Sequence, residues 1–229
     1  MVLNNGVYFL FWIIFFDRFE SIKGWTLDDR LILFGIVAVE IDAAVYFFRN
    51  AMMLAEIIGN GRLDYYLSLP RPVPLHTLGS RSISSGMGDV TYGILSFEVA
   101  GHFAPEVLAR FALGCILAAV VFLSFLVLVQ SLAFCVGHVG LIASQAMNAV
   151  ITFVLYPLHL FDGTAKLLLF TVIPAAFVGA VPAEFVTEFT WRNFLMLLGA
   201  TLGFCFLAVA ALHLGLRRYE SGSGIQVEV

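Results

Sequence analysis

Charge is what this 229-residue chain has least of: 12 basic and 16 acidic side chains make up only 12% of it. That is about half the share usual in a soluble domain. The formal balance is −4 and no basic tract occurs, which excludes a nucleic-acid-binding chain. Cysteine is scarce too. Cys115, Cys135 and Cys205 stand singly in apolar runs, with no CxxC spacing and no His/Cys cluster to hold zinc, so they read as small packing residues. Catalytic signatures are equally missing. Gly59-Asn60-Gly61 lacks the Lys-Ser/Thr that a phosphate-cradling loop needs, and neither HExxH nor GxSxG is present. Gly86-Met87-Gly88-Asp89 matches the GxGD pattern of intramembrane aspartyl proteases, but that chemistry needs a second carboxylate. The usual Tyr-Asp pair does not occur; Asp64-Tyr65 is reversed and falls in a loop. No cleavable signal peptide is visible, because the first residues have no basic n-region and no small-residue cleavage site.

Apolar side chains are what the chain does have, at 61% of its residues. Mean hydropathy is +0.96. One globular core cannot bury that much apolar surface, and lipid is the solvent that suits it. A spanning helix takes about 20 residues, and the runs predict an all-α integral membrane protein with six transmembrane helices. They are residues 2–16, which is short; 31–48; 83–99; 107–136, the longest; 141–160; and 194–216. Residues 17–30 read as a polar loop, 49–81 as a long polar stretch with Pro70, Pro72 and Pro74, and 137–140 as a tight turn. No repeat or second domain is detectable.

Residues 167–185 are apolar but carry Pro174 and Pro182, after Pro157 in the preceding run. Proline interrupts a helix, and irregular backbone survives at membrane depth only inside protein or beside water. Two arrangements fit: a kinked end of the fifth span, or a short re-entrant hairpin. Orientation is not settled by charge, because Arg49, Arg62, Arg71, Arg81, Arg217 and Arg218 on one side equal Arg18, Lys23, Arg30, Arg110, Lys166 and Arg192 on the other. Glu40 and Asp42 are carboxyls within a span, where such groups are expensive and often mark pathways. Two positions apart means about 200° of helical rotation, so they cannot form one paired site. A helix–helix hydrogen bond, a salt bridge or a buried structural position, a place on a substrate path or dimer seam, and a proton relay are the readings for them. Asp89 reads as a residue near an interface or helix start, and His138, His159 and His213 as interfacial packing. Gln145 and Asn148 read as interhelical glue.

Four stretches in order resemble one family. They are Gly24-Trp25-Thr26-Leu27 before an apolar span, and the run from Glu56 through Ile57, Ile58, Gly59, Asn60, Gly61, Arg62, Leu63, Asp64, Tyr65, Tyr66, Leu67, Ser68, Leu69, Pro70, Arg71 and Pro72. The others are the proline steps at 156–157, 173–174 and 181–182, and Gly215-Leu216-Arg217-Arg218-Tyr219-Glu220-Ser221 after the last span. Together they resemble the permease of a type-two ABC exporter, in the six-span branch of about 260 residues. The resemblance implies a single permease domain over residues 1–229, in a bacterial plasma membrane, with both termini and the 49–81 loop cytoplasmic. Relatives begin with a basic amphipathic helix and a full first span, so that helix and part of the span are expected to be missing here.

The resemblance also implies a partner ATP-binding-cassette subunit holding ATP and magnesium, a second permease in a homodimer or heterodimer, and no cofactor on this chain itself. Such a permease is a transport subunit and not an enzyme. It has no nucleotide site, so force must arrive by contact. The 57–72 stretch is the expected coupling region: Ile58, Leu63, Tyr66 and Leu67 as apolar grip, Arg62 and Asp64 for register, and Pro70-Arg71-Pro72 as a stiff exit. Ile57 and Gly61 belong to the same stretch. The competing reading is a proton- or ion-coupled secondary carrier using Glu40 and Asp42, against which the absence of repeats counts. An intramembrane enzyme lacks its catalytic constellation.

Overall fold

In an apolar solvent each backbone N–H and C=O must be satisfied within the protein, so apolar runs form helices. The computed structural model describes residues 2–19, 21, 26–70, 72–82, 87–101, 103–136, 139–156 and 158–219. Arg71, Pro157, His138 and most of the 20–25 stretch fall outside these. The elements are α1 (Val2–Arg18), α2 (Leu27–Phe47), a 3-10 turn (Arg49–Met53), α3 (Leu54–Gly59), α4 (Leu63–Leu67) and α5 (Val73–Gly79). Then come α6 (Met87–Val99), α7 (Pro105–Gln130), α8 (Ala133–Val136) and α9 (Gly140–Val154). The chain continues through a 3-10 turn (Leu158–Leu160), α10 (Gly163–Thr171), a π turn (Ala176–Ala180), α11 (Val181–Thr187) and α12 (Trp191–Arg218).

The protein is an all-α membrane protein. Among the described residues two stretches, Pro105–Val136 and Trp191–Arg218, are each long and apolar enough to cross a bilayer. Two bent pairs bring the number to four if each is one span: Leu27–Phe47 with Arg49–Gly59, bent by 80°, and Gly163–Thr171 with Ala176–Thr187, bent by 71°. Among the described residues α1, α6 and α9 have 17, 13 and 15 residues, so the expected count of six is not confirmed.

Helix α7 is the mast of the bundle, with α2, α9, α11 and α12 packed around it. Its Ala118, Val121 and Phe122 are fully buried. On the other side of α2, two glycines let α6 come close. A Cβ on Gly35 would stand 2.8 Å from the Gly93 carbonyl oxygen, and one on Gly93 would stand 2.8 Å from that of Gly35. Ser96 Oγ seals the contact by donating to the Leu31 carbonyl at 3.0 Å.

Helix α2 starts within the expected polar loop. Thr26 and Asp29 form a reciprocal capping box, which satisfies backbone donors that the first turn leaves free. Arg30 is not a loop cation. It is buried, stacks over the Trp12 ring at 4.0 Å and donates to the Leu155 carbonyl, tying α1, α2 and the end of α9 together.

The proline-broken segment is a helix–bend–helix whose first helix, α10, is mostly exposed and whose second half is sunk in the bundle, and Pro174 marks the bend. The expected second break at 181–182 does not occur, because Pro182 sits in the first turn of α11 after a wide π turn. There a missing N–H costs little. Ala176, Val178, Val181, Phe185 and Val186 are all buried, so protein surrounds the irregular backbone. Gln145 and Asn148 are exposed on α9 and are not internal glue within the chain.

The carboxamide that does join elements is Gln130, at the end of α7. Its Oε1 accepts from the Ala55 N–H at 3.0 Å and its Nε2 donates to the Met52 carbonyl, both at the bend following α2. Replacing Gln130 by Met keeps the volume and strands both backbone groups. The variant is expected to lose about 1–3 kcal/mol of stability, read as a lowered Tm of the detergent-solubilised chain.

Candidate functional site

After the 80° bend, the polar 49–81 stretch folds back as an elbow of short helices against the ends of α7 and α12. Leu54, Ile57, Ile58, Leu63 and Tyr66 are buried in a cluster with Val127, Ala133, Val139, Ala208 and Leu212. Gly61 turns the chain from α3 into α4 with φ of 67°, a left-handed conformation that suits glycine. Asn50 sits behind the elbow, almost fully buried. Its Nδ2 has the Thr77 carbonyl at 2.8 Å, Ser80 Oγ at 2.7 Å and the Tyr66 hydroxyl at 3.2 Å. The Tyr66 hydroxyl and Ser80 Oγ lie 3.0 Å apart. One carboxamide thus staples α4 and α5 to the turn after α2.

This placement corrects the sequence reading of the stretch. Ile57, Ile58, Leu63 and Tyr66 are core residues and cannot present an apolar grip, because the chain's own bundle already covers them. The outward side consists instead of Arg62, Tyr65, Leu67 and, on α5, Leu75. Tyr65 is 65% exposed, Leu67 43% and Leu75 69%, high values for large apolar residues. Asp64 is half-buried, while Pro70 and Pro72 are exposed at the exit. Between α4 and α5 lies a hollow of about 460 Å³ lined by Arg62, Tyr65, Tyr66, His76, Ser80 and Arg81. Its walls are basic and hydroxylated.

Within the bundle, Glu40 and Asp42 meet different neighbours. Asp42 is half-buried, close enough to Asp89 of α6 for the two carboxylates to repel. Glu40 has no exposed surface and belongs to the wall of an apolar groove that also includes Cys115 of α7. On the exterior of the bundle, α9 carries Ser144, Gln145, Asn148 and Thr152 along one exposed face. Among the described residues no three His, Cys, Asp or Glu side chains converge as metal ligands would.

A protein-family model described as ABC-2 family transporter protein matches residues 2–223. The chain belongs to the ABC-2 transporter family. No curated protein and no solved structure gives a significant match. The long apolar helices and this membership make it an ABC-type permease, a multi-pass membrane subunit.

Three residues that organise this ABC-2 permease escaped the reading of its sequence: Asn50, Gln130 and Arg30. Arg30 and Asn50 flank the 31–48 run and Gln130 interrupts the 107–136 run, which was the available signal; only packing shows which of them turn inward. Removing the staple with Asn50→Ala is expected to free α4 and α5 from the bundle at a cost of about 1–3 kcal/mol. Limited proteolysis of the purified permease then shows faster cleavage between residues 60 and 80 than in the parent chain. Asn50→Asp, which puts acceptor oxygens against the Thr77 carbonyl, is expected to be worse.

Proposed function

We propose that the chain is the membrane subunit of an ATP-driven exporter, with the elbow from Leu54 to Gly79 as the surface on which a separate ATP-binding-cassette subunit bears. The supporting observation is the two-sidedness of the elbow. Its inner residues are fused with the cores of α7 and α12, while Tyr65, Leu67 and Leu75 stand uncovered beside a basic hollow. A push on that outer side reaches two long helices directly, through packed side chains rather than through a loose loop. Charge complementarity assigns an acidic side chain of the partner to the hollow formed by Arg62, His76 and Arg81. The elbow then lies on the cytoplasmic side, with ATP and magnesium held by the partner.

The path for substrate lies where α9 meets a second permease. The Ser144 and Thr152 hydroxyls donate to carbonyls of their own helix, but the Gln145 and Asn148 carboxamides would be costly against lipid, and a facing subunit supplies protein or water to cover them. Alternating exposure of this seam, driven by the partner ATPase, is the transport mechanism in this reading. Family membership turns the choice away from an ion-coupled carrier.

Tyr65→Asp together with Leu67→Asp places carboxylates in the proposed contact and leaves the buried Leu63 untouched. Unpaired charge in a desolvated contact costs several kcal/mol, and each 1.4 kcal/mol or so is tenfold. Co-purification of the ATP-binding subunit is therefore expected to fall by orders of magnitude while membrane insertion is unchanged. Retention of that partner with transport intact refutes the docking assignment, and ATP hydrolysis by the purified chain alone refutes the division of labour.

For the seam, Asn148→Cys on a background without Cys115, Cys135 and Cys205 is expected to crosslink to a second permease under a short bis-maleimide. The mass of the product distinguishes homodimer from heterodimer. Absence of crosslinks from 144, 145, 148 and 152 alike rejects α9 as the seam.

A further inference from the structure

Helix α5 separates two unlike spaces. On one side of it Pro74 and Leu78 close an apolar crevice with Leu123 and Val127 of α7 and Ala208 and Leu212 of α12. His76 and Ser80 stand two positions further on, about 200° round the helix, and line the basic hollow of about 460 Å³ instead. Leu212 precedes Arg217 by five residues, about 8 Å along α12, and Arg217 and Arg218 end that apolar helix. Basic residues of this kind mark the end of a span. The crevice thus lies just inside the hydrocarbon, and the hollow beyond α5 lies at headgroup depth.

The hollow is furnished with donors. Arg62 and Arg81 bring guanidinium groups, His76 an imidazole, and Tyr65, Tyr66 and Ser80 hydroxyls, while no carboxylate is among the described lining residues. Asn50 fixes the floor: its Nδ2 lies 2.7 Å from Ser80 Oγ and 3.2 Å from the Tyr66 hydroxyl. Those two hydroxyls are 3.0 Å apart, so one of their protons makes the bond between them. The other has at best a 3.4 Å contact from Ser80 to the Thr77 carbonyl, which already receives from Asn50 at 2.8 Å. That proton is left for a ligand. Guanidinium groups take phosphate oxygens in pairs, and a hydroxyl donor beside them serves a further oxygen.

We infer that the hollow seats the phosphate of an acidic membrane lipid, with Arg62 and Arg81 on its charge and the hydroxyl floor on a remaining oxygen. Depth and rim favour a lipid over a free phosphate. Tyr65 and Leu75 stand exposed beside the basic walls, and only a ligand with acyl chains makes use of both. The inference adds a regulation to the docking reading: the headgroup and the partner's acidic side chain exclude one another from one seat. It rests on that reading for the competition alone, because binding of the lipid needs no partner.

The test uses the full chain purified in detergent, with native mass spectrometry counting the lipid it retains. Dioleoyl phosphatidic acid is the probe, and dioleoyl phosphatidylcholine is the control with the same acyl chains. The parent chain is expected to retain phosphatidic acid in preference, and inorganic phosphate at equal concentration is expected not to displace it. Arg62→Gln and Arg81→Gln are each expected to weaken retention about tenfold, the effect of one lost charge-assisted hydrogen bond. Both side chains are exposed, so an unchanged Tm is expected to accompany the loss. Arg217→Gln with Arg218→Gln removes charge near the hollow but not from it, and should leave retention as in the parent. An equal loss in that variant, or equal retention by the parent and the hollow variants, overturns the inference. Displacement by inorganic phosphate assigns the hollow to a free phosphate and overturns the lipid as its occupant. Phosphatidic acid that binds without lowering co-purification of the ATP-binding subunit supports the seat and removes the hollow from the docking surface. No preference for phosphatidic acid, with that subunit still bound, overturns the seat and leaves the docking reading standing.

Discussion

The carboxamide of Gln130 holds the point on which the outer architecture turns. At residue 48 the chain leaves α2 and bends by 80°, which takes backbone groups out of the helical ladder at the edge of an apolar bundle. Water does not serve groups buried there, so another element must. Gln130, at the end of the longest buried helix, accepts from Ala55 and donates to Met52. Everything from the 3-10 turn to α5 hangs from that junction, and Asn50 repeats the device one layer further out. The same constraint explains the buried π turn and the bend at Pro174, where packed protein surrounds irregular backbone.

Rigidity at this junction has a mechanical consequence. A short helix on a flexible loop absorbs force, whereas one whose inner face is continuous with α7 and α12 passes it on. The elbow is of the second kind, since Leu63 and Tyr66 share a core with Val127 and Leu212. The interior is correspondingly close-fitting where helices must stay together: Gly35 faces Gly93 backbone to backbone, and a Cβ on Gly179 would stand 2.8 Å from the Val154 carbonyl oxygen. It is open in the apolar groove between α2, α6 and α7.

Much of the fold was legible without coordinates. Apolar runs of helical length, separated by polar or proline-bearing stretches, placed the long helices well, because backbone in lipid has few alternatives to a helix. The break before the last helix was legible for the same reason, though Pro182 misled. A proline in the first turn after a π turn does not interrupt anything, and the π turn has no clear signature in sequence. The candidate site was less legible. Its chain segment was singled out by resemblance, but of the expected apolar grip only Leu67 is exposed, while Ile58, Leu63 and Tyr66 lie in the core.

What the sequence by itself determined is the solvent and the class. So low a charge content, with apolar residues in long runs, requires lipid around an all-α chain, and the ordered motifs indicate a permease. The sides of the short helices were decided only by tertiary structure. A five-residue helix such as α4 has too few turns for its apolar pattern to name an inner face. That face is chosen by which neighbours, Val127 and Leu212 among them, arrive from sixty or more residues away. The partners of Gln130 and Asn50 were likewise a matter of packing. Whether a polar group in an apolar run is satisfied depends on what the rest of the chain brings beside it.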